Sequence, residues 1–277
     1  TGYRSMVKNS DSLLRIFCYL PTPRIWKSTI TARFLDINIE LRGTKPSEVK
    51  DWLWDFDARP LTEEDKTRLA DKTTAGKTGF SIKLYKTDAF LASQPYGTIP
   101  AAFSPDGKIG IFESNSIMRL VARLKTKNNT LYGSNPYESS RIDGFLDASL
   151  IFARSSQKYL LSLNNNSVNK TIRNEAKEAY ITYMTGIENA LRENKKYGFI
   201  TSKNITLADI CFFCEFSLFY REIIPLKKPI KGITSIFSEM GSKSFKLSIN
   251  HFKKLKKHPN FKIDSHKYIK NIEKKLT

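Results

Sequence analysis

The sequence predicts an α/β N-terminal half followed by an all-helical C-terminal half. Three observations predict this. A strand–helix–strand pattern opens the chain over residues 13–41. Two short apolar runs around a Pro-Asp-Gly turn, residues 98–112, lead into an amphipathic helix. From Pro136 onward, apolar residues recur only at helical spacing.

Each element has its own signal. Residues 13–20, LLRIFCYL, are mostly apolar and read as a buried strand, which Pro21 and Pro23 break. Ile25, Ile30, Phe34 and Leu35 recur at helical spacing, which predicts a helix over 26–35. Ile37 to Leu41 alternates with period two, a second strand. Residues 45–83 are an insertion: Trp52, Trp54 and Phe56 alternate with aspartates. Thr62 followed by Glu63, Glu64 and Asp65 then predicts a capped, short polar helix. Thr73–Gly79 reads as a loop. Thr98–Phe103 and Ile109–Phe112 form an antiparallel hairpin, and a helix follows with Ile117, Leu120, Val121 and Leu124 on one face.

In the second half, Ile142, Phe145, Leu146, Leu150 and Phe152 mark one helix. A long helix covers about 170–194. Another, over 206–224, is apolar on most sides and belongs at the centre of a helical domain, ended by Pro225 and Pro229. The linker falls at Asn128-Asn129 and Tyr132–Tyr137. The expected domains are 11–127, with its insertion at about 45–83, and 136–277 with a basic C-terminal extension.

Composition excludes several classes. With 40% hydrophobic residues in 277, the chain has enough apolar surface for a core. No apolar run reaches the ~18–20 residues of a membrane span. The polar stretch Thr1–Asp11 lacks the apolar core of a signal peptide, and Met6 is a candidate start. Cys18, Cys211 and Cys214 cannot build a disulfide framework, which fits a cytoplasmic location. His251, His258 and His266 all lie near the C-terminus, so a Ser-His-Asp triad or a His-based zinc site is not expected in the main body.

The net charge of +19 is concentrated late: residues 227–275 hold fourteen lysines against Glu239, Asp264 and Glu273. Lysine outnumbers arginine more than twofold and Asn and Ile are abundant, as codon bias in an AT-rich genome would give. No RNA-binding-sheet or zinc-finger pattern accompanies the charge, so specific nucleic-acid recognition is not expected. Lys253-Lys254-Leu255-Lys256-Lys257 reads as a solvated helix face or an anion-attracting edge. Ala75-Gly76-Lys77-Thr78 imitates the end of a phosphate loop, but Asp71 stands where the earlier glycine is required. Cys211-x-x-Cys214 sits inside an apolar helix and reads as small core residues.

The specific motifs are Gly97-Thr98-Ile99-Pro100, Phe112-Glu113-Ser114-Asn115-Ser116-Ile117 and Thr206-Leu207-Ala208-Asp209-Ile210. Together they resemble the glutathione transferase superfamily over about 13–123 and 137–261. The resemblance implies a thioredoxin-like N-terminal domain, an all-helical substrate domain, glutathione as co-substrate, a cis Ile99–Pro100 bond and a homodimer. It implies that Glu113, Ser114 and the following helix N-terminus hold the γ-glutamyl end of glutathione, which carries an ammonium and a carboxylate on one carbon. The main chain of Ile99, set by Pro100, would meet the cysteinyl backbone. The thiol activator is expected after the first strand: Thr22, with Tyr19 as the alternative. The other reading of Thr22 is a plain helix cap. Arg24 and Lys27 either meet the glycyl carboxylate or are solvated. Thr206 and Asp209 read as a capping box with Ile205 and Ile210 as its staple, a folding device.

The resemblance implies attack on a small hydrophobic electrophile, with ether cleavage or dehalogenation among the options, near Phe145, Phe152 or Tyr220. No membrane partner is expected. The insertion is expected to fold over the active site or form a subunit contact. The alternative is a non-catalytic adaptor: the same motifs and Leu218-Phe219-Tyr220-Arg221-Glu222 also resemble the transferase-like domain of elongation factor 1 gamma, where the fold serves protein assembly.

Overall fold

The structure, a computed structural model, describes residues 11–75, 83–125, 127 and 129–274, without the side chains of residues 74, 75 and 242. The first ten residues, residues 76–79 of the expected loop and phosphate-loop imitation, and Asn128 of the linker lie outside the described residues. The chain divides into two compact units, Thr1–Lys125 and Thr126–Thr277.

In the first unit the order is β1 (Arg15–Phe17), α1 (Pro23–Leu35), β2 (Glu40–Arg42), β3 (Trp52–Trp54), β4 (Arg59–Pro60), α2 (Glu63–Arg68), β5 (Thr74–Ala75), β6 (Lys83–Lys86), α3 (Asp88–Ser93), β7 (Ala101–Phe103), β8 (Gly110–Phe112) and α4 (Ser114–Arg123). The main sheet has the order β2-β1-β7-β8. β2 runs parallel to β1, β7 antiparallel to β1, and β8 antiparallel to β7. This is the thioredoxin-like arrangement.

The pleat sorts the core into two layers, because successive side chains of a strand face opposite ways. Leu14, Ile16, Cys18 and Ala102 pack with Ile25 and Ala32 of α1 and Ile117 and Val121 of α4. Phe17, Ala101 and Phe103 face the other way. α1 starts at Pro23, three residues before the expected Trp26. Proline fits the first helical position because its missing N–H has no partner to lose there. Gly43 stands at φ 152°, and a Cβ there would lie 1.7 Å from the Cys18 carbonyl oxygen, so no other residue fits beside β1.

The insertion, expected to fold over the active site or form a subunit contact, builds a second four-stranded sheet, β4-β3-β6-β5. Its Val49, Trp54, Ala58 and Leu84, with Phe90 of α3, form one core with Phe17, Ala101 and Phe103. The Trp54 ring stands edge-on to Phe17 and Phe90, at 5.6 and 5.9 Å, and its Nε1–H donates to the Val49 carbonyl over 3.1 Å. An apolar tryptophan cluster with nowhere else to go covers the sheet face that the two long helices leave open. Arg15 ties the parts together. It bonds Glu40 and Asp57, each at 2.8 Å, and lies 4.0 Å over the Phe56 ring. Thr74–Ala75, expected in a loop, pairs with β6 instead. Thr62 and Asp65 form the capping box of α2, which lies just inside the Arg59–Asp65 ion pair.

The second unit holds α5 (Pro136–Asn164), α6 (Lys170–Glu193), α7 (Leu207–Tyr220), α8 (Ile223–Leu226), α9 (Ile236–Ser244), α10 (Lys246–Lys257) and α11 (Pro259–Glu273). α7 is buried at every position except Leu218 and stops at Tyr220, four residues before the expected end. Three buried acids each hold a helix N-terminus, where unpaired N–H groups and the dipole favour negative charge. Asp209 accepts from the Thr206 N–H of its own helix at 2.8 Å. Glu222 accepts from the Ile236 and Phe237 N–H groups of α9, and burial pushes its carboxyl above the usual range. Glu188 accepts from the Leu247 and Ser248 N–H groups of α10. Among the described residues, no helix is long and apolar enough to cross a membrane.

Candidate functional site

The N-terminus of α4 is where the first unit concentrates polar chemistry. Glu113 precedes the helix at φ 69° and is exposed, while Ser114 and Asn115 are buried. Lys27 enters from the second turn of α1, only 1% exposed. Its ammonium donates to Ser114 Oγ at 3.2 Å and to Asn115 Oδ1 at 2.8 Å. Because Lys27 donates to the Ser114 oxygen, the Ser114 hydroxyl proton is directed elsewhere and remains a donor. A full positive charge thus joins the helix dipole and one O–H at a single helix end, the composition of a carboxylate site.

Lys27 is therefore not solvated. The structure puts it with Ser114, at the end that the resemblance gives to the γ-glutamyl group rather than the glycyl one. Asn115 was missed by sequence reasoning; nothing distinguished it from an ordinary first-turn asparagine. The signal for Lys27 was present: it is a lysine among Ile25, Trp26, Ser28 and Ile30, all buried.

Thr22 stands at the N-cap position of α1, but its side chain makes no cap bond. The residue is 2% exposed, and Oγ1 has no hydrogen-bond partner among the described residues. An N-cap threonine ordinarily accepts from the N–H groups two or three residues on, so the simple capping reading does not describe Thr22. Tyr19 is half-buried and packs on the α1/α4 side of the core. Arg24 is also half-buried. Ile99 and Pro100 are half-buried ahead of β7, and the Leu20–Pro21 and Ile99–Pro100 bonds are both cis. Cys18 is no nucleophile: burial pushes its thiol far above the ordinary range.

In the helical unit, two of the three residues expected near the electrophile, Phe145 and Phe152, share one groove, and Tyr220 is core. Phe152 is 1% exposed and stacks on Tyr183 at 4.9 Å. Tyr220 is buried against Phe216 and Phe237. Phe145 and Phe152 both line a groove of about 740 Å³ between α5 and α6, with Gly144, Ile151 and Gly186. Cys211 is buried and donates to Ser149 Oγ at 3.2 Å, a packing role. Asp209 also meets His251 Nε2 at 2.8 Å and accepts from the Ile200 N–H at 3.0 Å. Sequence reasoning missed the histidine, which lies 42 residues away. Among the described residues, no cluster of His, Cys, Asp or Glu could hold a metal ion.

A thioredoxin-like unit followed by a helical unit with a capped, buried α7 is the glutathione transferase fold. A glutathione transferase from Methylobacillus flagellatus, solved with glutathione bound, shares it at a TM-score of 0.59, covering 91% of this chain and 98% of that one at 11% identity. In sequence the chain is similar to elongation factor 1-gamma 1 of rice: 29% identical over 178 residues, 64% of this chain and 38% of that protein. It is also similar to glutathione S-transferase F9 of Arabidopsis thaliana, 38% identical over 64 residues, 23% of this chain and 29% of that protein. The matched stretches thus span well under half of these curated relatives. No family profile matches the chain.

Proposed function

We propose that the protein binds glutathione at the N-terminus of α4 and activates its thiol for transfer to a small hydrophobic electrophile. The observation that carries this reading is the Thr22 hydroxyl, buried and without a hydrogen bond at the start of α1. A buried hydroxyl left unpaired costs about 1–3 kcal/mol, and a ligand sulfur would supply the missing partner. Ser114 and the α4 N–H groups take the ligand's carboxylate, and Glu113 accepts from its ammonium. Ile99, set by Pro100, pairs with its backbone, and Arg24 meets its glycyl end.

Thr22 donates to the thiolate, with Tyr19 the alternative donor. The thiol proton leaves to solvent, the sulfur forms a bond to carbon, and the leaving group departs with its bonding electrons. The same reading makes the protein a homodimer of the cytoplasm. Calorimetric titration with glutathione tests it. Saturable binding, weakened at least about tenfold (1.4 kcal/mol) by Ser114→Ala, is expected. No binding at millimolar glutathione overturns it.

A second reading is an adaptor that works in protein assembly. The similarity to elongation factor 1-gamma over 64% of the chain favours it. It predicts no glutathione binding and a stable protein complex.

A further inference from the structure

Two lysine-rich segments that contain no acidic residue lie side by side in the helical unit. One joins α6 to α7 over residues 194–206 and holds Lys195, Lys196 and Lys203. The other is α10, with five lysines. The Lys254 ammonium lies 4.1 Å from the centre of the Phe199 ring, and that ring meets His251 of α10 edge-on at 6.0 Å. A Cβ on Gly198 would come within 3.7 Å of Lys254 Nζ. Ile249, Phe252 and Leu255 anchor α10 in the core, which leaves Lys253, Lys254 and Lys257 exposed. Lys195, Lys196 and Lys203 are exposed as well.

The neighbouring acids are engaged elsewhere. Glu188 is buried under the α10 N-terminus, Asp209 is buried against His251, Glu193 faces Arg141, and Glu273 pairs with Lys256. The charge is therefore gathered into one surface, which codon bias alone does not require. Within it stands Tyr197, 46% exposed, with the Lys196 ammonium 5.5 Å from its ring.

We propose that this surface binds single-stranded nucleic acid without sequence preference, the lysines on phosphates and Tyr197 stacking on a base. Ammonium groups framing an exposed aromatic ring suit a polyanion that also carries flat rings. A polycarboxylate chain would match the charge but leave Tyr197 unused. The proposal does not depend on glutathione binding.

Fluorescence anisotropy of the full chain with a fluorescein-labelled oligouridine of about twenty nucleotides tests it. Four phosphate contacts give a slope of log K against log salt of about −3. Lys195→Glu/Lys196→Glu/Lys254→Glu is expected to weaken binding at least about tenfold, with an unchanged melting midpoint. Lys45→Glu/Lys50→Glu/Lys108→Glu, the same charge change on the first unit, is expected to stay within about twofold. Tyr197→Ala is expected to weaken binding severalfold at an unchanged salt slope. Equal losses in the two triple variants would reduce the effect to bulk charge and overturn the proposal. So would a neutral Tyr197→Ala, or polyglutamate that competes as well as unlabelled oligouridine.

Discussion

Lys27 Nζ donates to Ser114 Oγ over 3.2 Å, joining the second turn of α1 to the first residue of α4 inside the N-terminal core. Under the proposed function this pair is the carboxylate reader. Lys27→Met keeps the side chain's length and removes its charge. It also takes the donor from the buried Ser114 Oγ and Asn115 Oδ1, so stability is expected to fall by about 1–3 kcal/mol. Glutathione affinity of the folded variant is expected to fall about tenfold or more in calorimetry. A variant that binds as well as wild type would remove Lys27 from the site.

Thr22→Val replaces the hydroxyl by a methyl of similar shape. Since Oγ1 makes no hydrogen bond, stability is expected to be unchanged or slightly higher. Glutathione conjugation is expected to drop at least about tenfold, while glutathione binding persists. If Tyr19→Phe gives that pattern instead, Tyr19 is the activator.

Asp209→Ala removes the acceptor for the Thr206 and Ile200 N–H groups and for His251, all in a buried setting. The capping box alone would be worth about 1–2 kcal/mol. With three buried partners stranded, the loss is expected to be about 3–5 kcal/mol by denaturant titration. His251→Ala is expected to cost less, because the backbone donors to Asp209 remain.

Trp54→Ala opens a cavity where the second sheet meets the first. The expected loss is about 3–5 kcal/mol, seen as early melting of the N-terminal unit. A surface flap would tolerate the change.

Glu40 accepts from Arg15 and Arg42, each at 2.8 Å. Burial alone would raise its carboxyl, but the two guanidinium bonds outweigh it and hold it below the usual carboxylate range. Its contribution is thus fully present above the unfolded value of about 4.3 and is lost as pH falls through the lower folded value. Glu40→Gln is expected to lower the melting midpoint at pH 7, and the gap to wild type is expected to close below about pH 4.

Legibility in the sequence followed the range of the interaction. The hairpin around Pro105-Asp106-Gly107, the Thr62 cap, the Thr206 capping box and the apolar α7 were readable because partners lie within a few residues of each other. The sheet built by the insertion was not legible, because alternation in Trp52–Phe56 announces a strand but not what it pairs with or covers. Tyr220 was misplaced for a related reason: an aromatic on a helix looks the same whether it lines a groove or fills a core.

By itself the sequence determined the strand–helix–strand opening, the hairpin that leads into α4, and the apolar α7 with its cap, since these depend on local backbone preference and hydrophobic period. Only the tertiary structure decided that Lys27 lies against Ser114, that His251 holds Asp209, that the Trp54 sheet completes the N-terminal core, and that α10 lies beside the Lys195–Lys203 loop. Those pairs are separated by tens of residues. Their contact is set by how the buried faces of separate elements pack together, which no local spacing encodes.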